Sequence, residues 1–585
     1  MTTTSASWAS APRYSRWLNT SSSPIVARLV VYLIPAFLSA LVVVIALGLF
    51  SWVPGGIFSQ GGDTLWVQAM AQAHAQAGPI GADQHLGWPI GLSPWSHPQL
   101  GLFFGIVTWL AGAIGFGSAA STGIVVGAVA ALVCAGTTLF LRTVVHDRFK
   151  ATVVIFSIAV GASPFVIGKL GHFSVAGVFL IPIAFAVTNK RYPTRFRRVA
   201  WLSVGAVAAI LSPLWWVVVA GFLLFMGLIV SLVSLRGKTA GAWLTGGSAC
   251  IIGFFVQYLV ALGFAESTTI VTRGAWESNF YGGRFVDFLT ASPLVNSLVP
   301  VQARLSGGGS PEPSMVGIVL VVAAIFAVFL VVAVFPGKIA SRDHSYILRT
   351  TTTLTLLAFV VGGLGNLQAG LAALMETSSP ARVWARLIVV LALLGLAWVL
   401  LAVRDTGPGR AFRKTVVAVP ILALVSVFVL AEVTSTRTPE PAQAQGFSEY
   451  GPVSFLRENL APCPVAQLPQ DDFPLPRALP KDVIDTAYVQ GLYYRPFIPY
   501  VMAPEFYWSY GSWNPSAKNR MQDLNRTLDD ADLEYLKSGG FCAVLYDTRL
   551  ADVAKTGGKK LEGRDLRVTI PPSYSNERYQ VFLLS

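Results

Sequence analysis

The chain has 585 residues, 54% of them hydrophobic and only 12% charged, with a formal net charge of +13. Apolar runs long enough to cross about 30 Å of hydrocarbon recur along it, which excludes an ordinary soluble globular protein and predicts a polytopic α-helical membrane protein. The basic excess lies upstream of residue 433, in short loops between apolar runs, where orientation in a lipid bilayer accounts for it and no nucleic acid is needed as partner.

In chain order, residues 1–25 are rich in Ser and Thr, carry Arg13 and Arg16, and predict a disordered cytoplasmic tail. The run "VARLVVYLIPAFLSALVVVIALGLFSWV", Val26 to Val53, is far longer than the apolar core of a signal peptide and lacks a small-residue cleavage site after it, so it reads as a retained span. Later runs lie near 99–116, 120–141, 151–168, 173–188, 199–212, 214–234, 240–264, 315–335, 346–364, 383–403 and 415–432. Counted as full spans these make twelve, a number that puts "KRYPTRFRR" outside against the tendency of Lys and Arg to stay cytoplasmic. The segment that fails to cross is predicted to be "PQLGLFFGIVTWLAGAIGFG", which starts near Pro98 and is broken by five Gly, as expected of an interfacial or re-entrant stretch.

About eleven spans then remain. The loops at 142–150, 190–198, 236–238, 338–349 and 404–414 become cytoplasmic with seventeen Lys and Arg, against six in the external loops. The same choice makes 26–432 a membrane domain of a multi-pass plasma (inner) membrane protein with its N-terminus cytoplasmic. Its large loops 54–119 and 265–314 lie outside, as does the region 433–585.

That last region has frequent Pro, mixed charge, a helical "LNRTLDDADLEYLKS" and β-type runs "FCAVLYD" and "YQVFLL", the signature of a soluble extracytoplasmic α/β domain. Cys463 and Cys542 both lie in it and form a disulfide if that compartment is oxidising, or stay as two buried thiols if it is not. Cys134 and Cys250 fall inside spans and read as buried apolar residues.

Ionisable residues are nearly absent within the spans, so the external loops hold the candidates for chemistry. Asp63, in "GGDTLWVQAM", opens a helix with Leu65, Ala69, Met70 and Ala73 on one face, expected to lie on the membrane surface. Asp63 is either a helix cap or a catalytic base beside arriving lipid head groups. Asp83, His85, Trp88, Trp95 and His97 stand among Gly and Pro, as interfacial anchors or as the lining of an acceptor or sugar pocket. Lys169 and His172 follow in "GKLGHFS". In "SSPARVWARL", Arg382 and Arg386 stand four apart on one helix face, suited either to a phosphate held by charge-assisted hydrogen bonds or to an ion pair with Glu376.

Together, an acid in the first external loop (Asp63), a Pro-started interfacial segment in that loop (from Pro98) and Arg residues in a late external loop resemble the GT-C superfamily of integral-membrane glycosyltransferases. The tail's "WSYG" and "GGFCAVLYD" are similar to bacterial cell-envelope members. The resemblance covers most of residues 26–432. It implies transfer of a sugar from a polyprenyl-phosphate donor to a cell-envelope glycan or lipid-linked acceptor, with inversion and Asp63 as base. In the scheme these residues suggest, Arg382 and Arg386 bind the donor phosphate, with His172 or Lys169 assisting. "GGD" supplies one carboxylate where some members have a close pair, so no metal is required by the scheme, although a divalent ion is compatible with it. Two other readings fit the same loops: a lipid-linked glycan transporter, which needs alternating access, and a non-enzymatic envelope assembly protein. The absence of inverted repeats of broken spans, with the elaborate parts all on one side, ranks the transporter below the enzyme.

Overall fold

The computed structural model describes residues 24–52, 54–58, 63–93, 95, 100–145, 150–168, 170–189, 194–264, 317–333, 343–363, 384–405, 415–436, 440–468, 494–510, 528–549 and 566–584. The loop 265–314, nearly all of the N-terminal tail, Lys169, His97 and Arg382 lie outside these described residues.

The chain is mostly helical. In order come α1 (Pro24–Ala46), α2 (Asp63–Ala77), α3 (Gly101–Ala113), α4 (Ser118–Val145), α5 (Lys150–Gly161) and two short helical turns, α6 (Pro164–Ile167) and α7 (Phe173–Ala176). There follow α8 (Leu180–Asn189), α9 (Arg195–Leu211), α10 (Leu214–Val233), α11 (Gly237–Phe264), α12 (Ile318–Ala333), α13 (Asp343–Gly363), α14 (Ile388–Asp405) and α15 (Thr415–Ser435). Among the described residues three helices, α4, α10 and most of α11, are long and apolar enough to cross a membrane. α9 begins earlier than its apolar run suggests, because the Thr194 hydroxyl accepts from the Arg197 N–H at 3.3 Å and caps a basic first turn.

Small residues set how closely these helices approach. A Cβ added to Gly395 in α14 would lie 1.8 Å from the Ala323 carbonyl oxygen of α12, so only a residue without a side chain lets the two backbones touch there. Outward-facing Phe37, Phe225, Phe255 and Leu259 leave the bundle with an apolar exterior.

The two ends of the bundle differ. At one end the Gln68 amide of α2 donates to Ser118 at the start of α4, and the Glu432 carboxylate of α15 accepts from the Ile318 N–H at the start of α12. At the other end the Asn189 amide meets Thr143, Tyr346 meets Ser234, and the guanidiniums of Arg142 and Arg236 lie over the rings of Tyr32 and Tyr346. The Trp398 indole N–H donates to Thr352 at 3.1 Å, which sets the second half of α14 beside the first half of α13.

The C-terminal residues build a mixed five-stranded sheet of order β4-β3-β6-β9-β8, from β3 (Pro464–Leu468), β4 (Tyr507–Trp508), β6 (Ala543–Asp547), β8 (Tyr574–Ser575) and β9 (Tyr579–Leu583). β3 pairs in parallel with β4 and β6, and β9 runs antiparallel to β6 and β8. β5 (Leu528–Asp529) and β7 (Leu566–Arg567) form a separate parallel pair. Around the sheet stand α16 (Tyr450–Asn459), α17 (Phe497–Met502) and α18 (Asp530–Ser538). α18 is started by a capping box in which Asp529 and Asp532 each accept from the other's backbone N–H. Cys463 and Cys542 are joined in a disulfide, while Cys134 and Cys250 are free and buried.

A sixth pairing joins the halves: β1 (Ile57–Phe58), five residues before Asp63, runs antiparallel to β2 (Pro441–Ala442) with Ile57 opposite Ala442. α2 is therefore enclosed rather than laid on a surface. Every residue from Leu65 to Ala71 is buried, against α3 and α4 on one side and α17 and β1 on the other. This corrects the expected one-sided surface helix: its second face is covered by residues more than 400 positions later.

Candidate active site at the start of the second helix

Asp63 is the first residue of α2, where unpaired backbone N–H groups and the helix dipole favour a negative charge. Its Oδ2 lies 2.6 Å from His172 Nδ1, and its Oδ1 accepts a hydrogen bond from the Tyr494 hydroxyl. The Asp63 and His172 side chains are 34% and 33% exposed, so the pair is open on one side while held from two others.

His172 comes from the turn between α6 and α7, and its carbonyl accepts from the Val175 and Ala176 N–H groups at 2.8 and 3.1 Å. What brings this turn onto α2 is Gly171. A Cβ there would sit 2.2 Å from Thr64 Oγ1 and 2.8 Å from the Thr64 nitrogen, so glycine is what permits the approach.

Tyr494 comes from the C-terminal region, and its neighbour fixes it. The Arg495 guanidinium donates to both oxygens of Glu449 at 2.8 Å and to the Ser448 hydroxyl at 3.0 Å. Glu449 also accepts from the Tyr579 hydroxyl at 2.7 Å. Burial disfavours the Glu449 charge, but hydrogen bonds and attraction from Arg495, with help from Tyr579 and Arg578, outweigh it and hold the carboxyl below its ordinary range.

Asp83 and His85 lie at a second contact between loop and tail. Asp83 is 1% exposed: one oxygen accepts from the His85 N–H at 2.9 Å and lies 3.1 Å from His85 Nδ1, and the other accepts from the Tyr500 hydroxyl. Burial, then the Asp83 charge, pushes the Tyr500 hydroxyl well above its usual range and keeps it a donor. The His85 carbonyl accepts from the Trp508 N–H at 2.9 Å, and the Trp508 carbonyl accepts from Gly87 and Trp88. The His85 ring stacks on Tyr507 at 4.6 Å and Trp88 meets the same ring edge-on at 5.2 Å. These residues join two parts of the molecule, and the Asp83 carboxylate faces no solvent. Trp95 is 4% exposed.

Arg386 is half-buried, in a 3-10 turn (Trp384–Leu387) that leads into α14. Since the second half of α14 runs beside the first half of α13, Arg386 stands toward the end of the bundle that carries α2. Asp63 and His172 are metal-ligating side chains brought together, and among the described residues no third such side chain completes a cluster with them.

The reading of single residues missed Tyr494, Tyr500 and Tyr507. They lie in "LYYRPFIPYVMAPEFYWSYG", and the density of aromatics in an otherwise polar region is the one signal that marks it as an interface.

No protein-family model matches the chain, and no curated protein matches it. Among solved structures, the arabinofuranosyltransferase AftD from Mycobacteria, seen by single-particle cryo-electron microscopy, is similar at 16% identity and a TM-score of 0.42. The match covers 87% of this chain and 36% of that one, so this chain spans about a third of that neighbour's length.

Proposed function

We propose that the chain is an integral-membrane glycosyltransferase that moves a sugar from a polyprenyl-phosphate donor to an envelope glycan or lipid-linked acceptor, on the face of the plasma membrane away from the cytoplasm. The observation that carries this reading is the part-exposed Asp63 carboxylate at a helix N-terminus, gripped by His172 and Tyr494.

Eleven spans, α1, α4, α5 and α8 through α15, fit a bundle whose Arg142 and Arg236 gather at the end opposite Asp63. α3 stays at the interface in this arrangement and packs on α2 and α4. The Cys463–Cys542 disulfide favours an oxidising compartment for the C-terminal domain.

In the reaction, the acceptor hydroxyl gives its proton to Asp63 while its oxygen forms a bond to the anomeric carbon from the side opposite the phosphate. The bond from that carbon to the phosphate oxygen breaks, its electron pair stays on the oxygen, and polyprenyl phosphate leaves. The configuration inverts. The leaving phosphate needs no proton, so one carboxylate suffices as base. Arg386, with Arg382 and Lys169, stabilises the charge that grows on the phosphate, an interaction stronger in the transition state than in the bound donor. His172 orients Asp63 beside the same phosphate. Trp88, with His97, contacts the sugars in this scheme, while Asp83 and His85 hold the loop that carries them; Trp95, buried, offers them no face and leaves the expected pocket lining.

The test uses a panel of radiolabelled polyprenyl-phosphate hexoses and pentoses supplied to membranes from a strain lacking the chain. Asp63→Asn should keep its melting temperature and lose transfer by roughly 10²- to 10⁴-fold, the worth of a general base. Transfer at the wild-type rate by this variant removes Asp63 from the mechanism.

A further inference from the structure

We propose that Tyr494 is a positioning residue of this site, so that docking of the C-terminal domain is a condition of transfer and not only of stability. The inference rests on the reading of Asp63 as base.

The argument starts from the capacity of a carboxylate. Ionised, it offers about four lone-pair directions, and in a side chain with free χ rotation these point nowhere in particular. At Asp63 one direction on Oδ2 is taken by His172 and one on Oδ1 by the Tyr494 hydroxyl. Two donors on different oxygens fix the plane of the group. The carboxylate held in this way stays part-exposed, on the side from which a hydroxyl would arrive.

The two donors come from separate parts of the chain. His172 belongs to the turn packed on Thr64, within the helical bundle, whereas Tyr494 arrives with the C-terminal domain. The latter is held on both sides: Arg495 is clamped to buried Glu449, and six residues past Tyr494 the Tyr500 hydroxyl binds Asp83. On the other flank, the β1–β2 pairing ends five residues before Asp63. A domain that only decorated the bundle would need no hydroxyl on the part-exposed carboxylate that starts α2. The supports are those of a side chain whose position matters to about half an ångström.

The test compares three variants of the full chain in detergent. Tyr494→Phe keeps the ring and removes the hydroxyl. It should lower kcat roughly tenfold, the scale of one hydrogen bond to a charged group, with KM for the lipid-linked donor within about twofold, and it should shift the acidic limb of the pH–rate profile. Gln76→Ala removes other contacts between the halves, the amide N–H that donates to the Pro504 carbonyl at 3.0 Å and the amide oxygen that accepts from Tyr500 at 3.2 Å; Tyr500 keeps its bond to Asp83, so kcat and the pH profile should stay unchanged. Asp63→Asn reports on the underlying reading.

If Asp63→Asn is inactive while Tyr494→Phe matches the wild type in kcat and pH profile, the positioning role is overturned and the glycosyltransferase reading stands. If Tyr494→Phe and Gln76→Ala lose activity in parallel with their melting temperatures, Tyr494 is a structural tie and the proposal is likewise overturned. If Asp63→Asn transfers sugar normally, the reading itself fails and the positioning role falls with it.

Discussion

His74 shows how a side chain's surroundings decide its chemistry. It lies in α2, 3% exposed, with Nδ1 3.1 Å from the Gly78 carbonyl and its ring against Phe104. Burial lowers its pKa to about 4, partly offset by the hydrogen bond to Gly78. The sign follows from linkage. The folded chain holds the ring neutral, whereas the unfolded chain takes up a proton near pH 6.5, so the contribution is complete above pH 6.5 and is lost as pH falls toward 4. The full effect is up to about 3 kcal/mol. Melting temperatures of the wild type should therefore drop over that window, and His74→Gln, which has no such proton to take up, should flatten the drop. An unchanged slope in the variant assigns the acid sensitivity elsewhere. Nothing in "AQAHAQ" distinguishes this buried ring from a solvated one, because the residues that enclose it, Phe104 and Gly105, are thirty positions away. Asp63 was readable as a helix start because its neighbours in sequence are also its neighbours in space. Tyr494 was not, since the contact that gives it meaning spans 431 residues.

At the scale of elements, local signals and their outcomes divide in the same way. The acids of "LDDADLEYLKS" build the capping box that starts α18, and the short apolar runs "FCAVLYD" and "YQVFLL" give β6 and β9 in the register Ala543 opposite Leu583. The apolar stripe of α2 also gave a helix, yet periodicity cannot tell that both of its faces are covered. The turn before α7 makes the same point as a prediction. Gly171→Ala puts a methyl into Thr64, including backbone atoms that cannot swing away, so the turn must retreat and carry His172 from Asp63. Melting should cost about 1–3 kcal/mol, as overpacking does, while transfer falls much further, with the deficit in kcat. A variant in which activity and stability fall together, or in which neither changes, separates His172 from the site.

For the whole molecule, the Cys463–Cys542 disulfide closes the stretch of chain that carries most contacts between the two halves. Between its cysteines, 79 positions apart, lie Tyr494, Tyr500 and Tyr507, whose side chains touch the first loop, and Trp508, whose backbone does. The native geometry does not depend on the bond alone, because β3 and β6 are paired from Val465 opposite Ala543 onward. Its contribution belongs mainly to the unfolded chain, where closing a loop of this length removes conformational entropy worth about 4 kcal/mol. Replacing both cysteines, Cys463→Ser with Cys542→Ser, should then lower the melting temperature of the C-terminal domain and raise its susceptibility to protease. Well below that temperature kcat should stay near the wild-type value, because the sheet, the Arg495–Glu449 clamp and the β1–β2 pairing still seat Tyr494. Mild reduction of the wild type should reproduce both results. If the double variant melts normally but loses transfer, the bond acts on the folded site itself, and the docking contacts are too weak to hold Tyr494 on Asp63 without it.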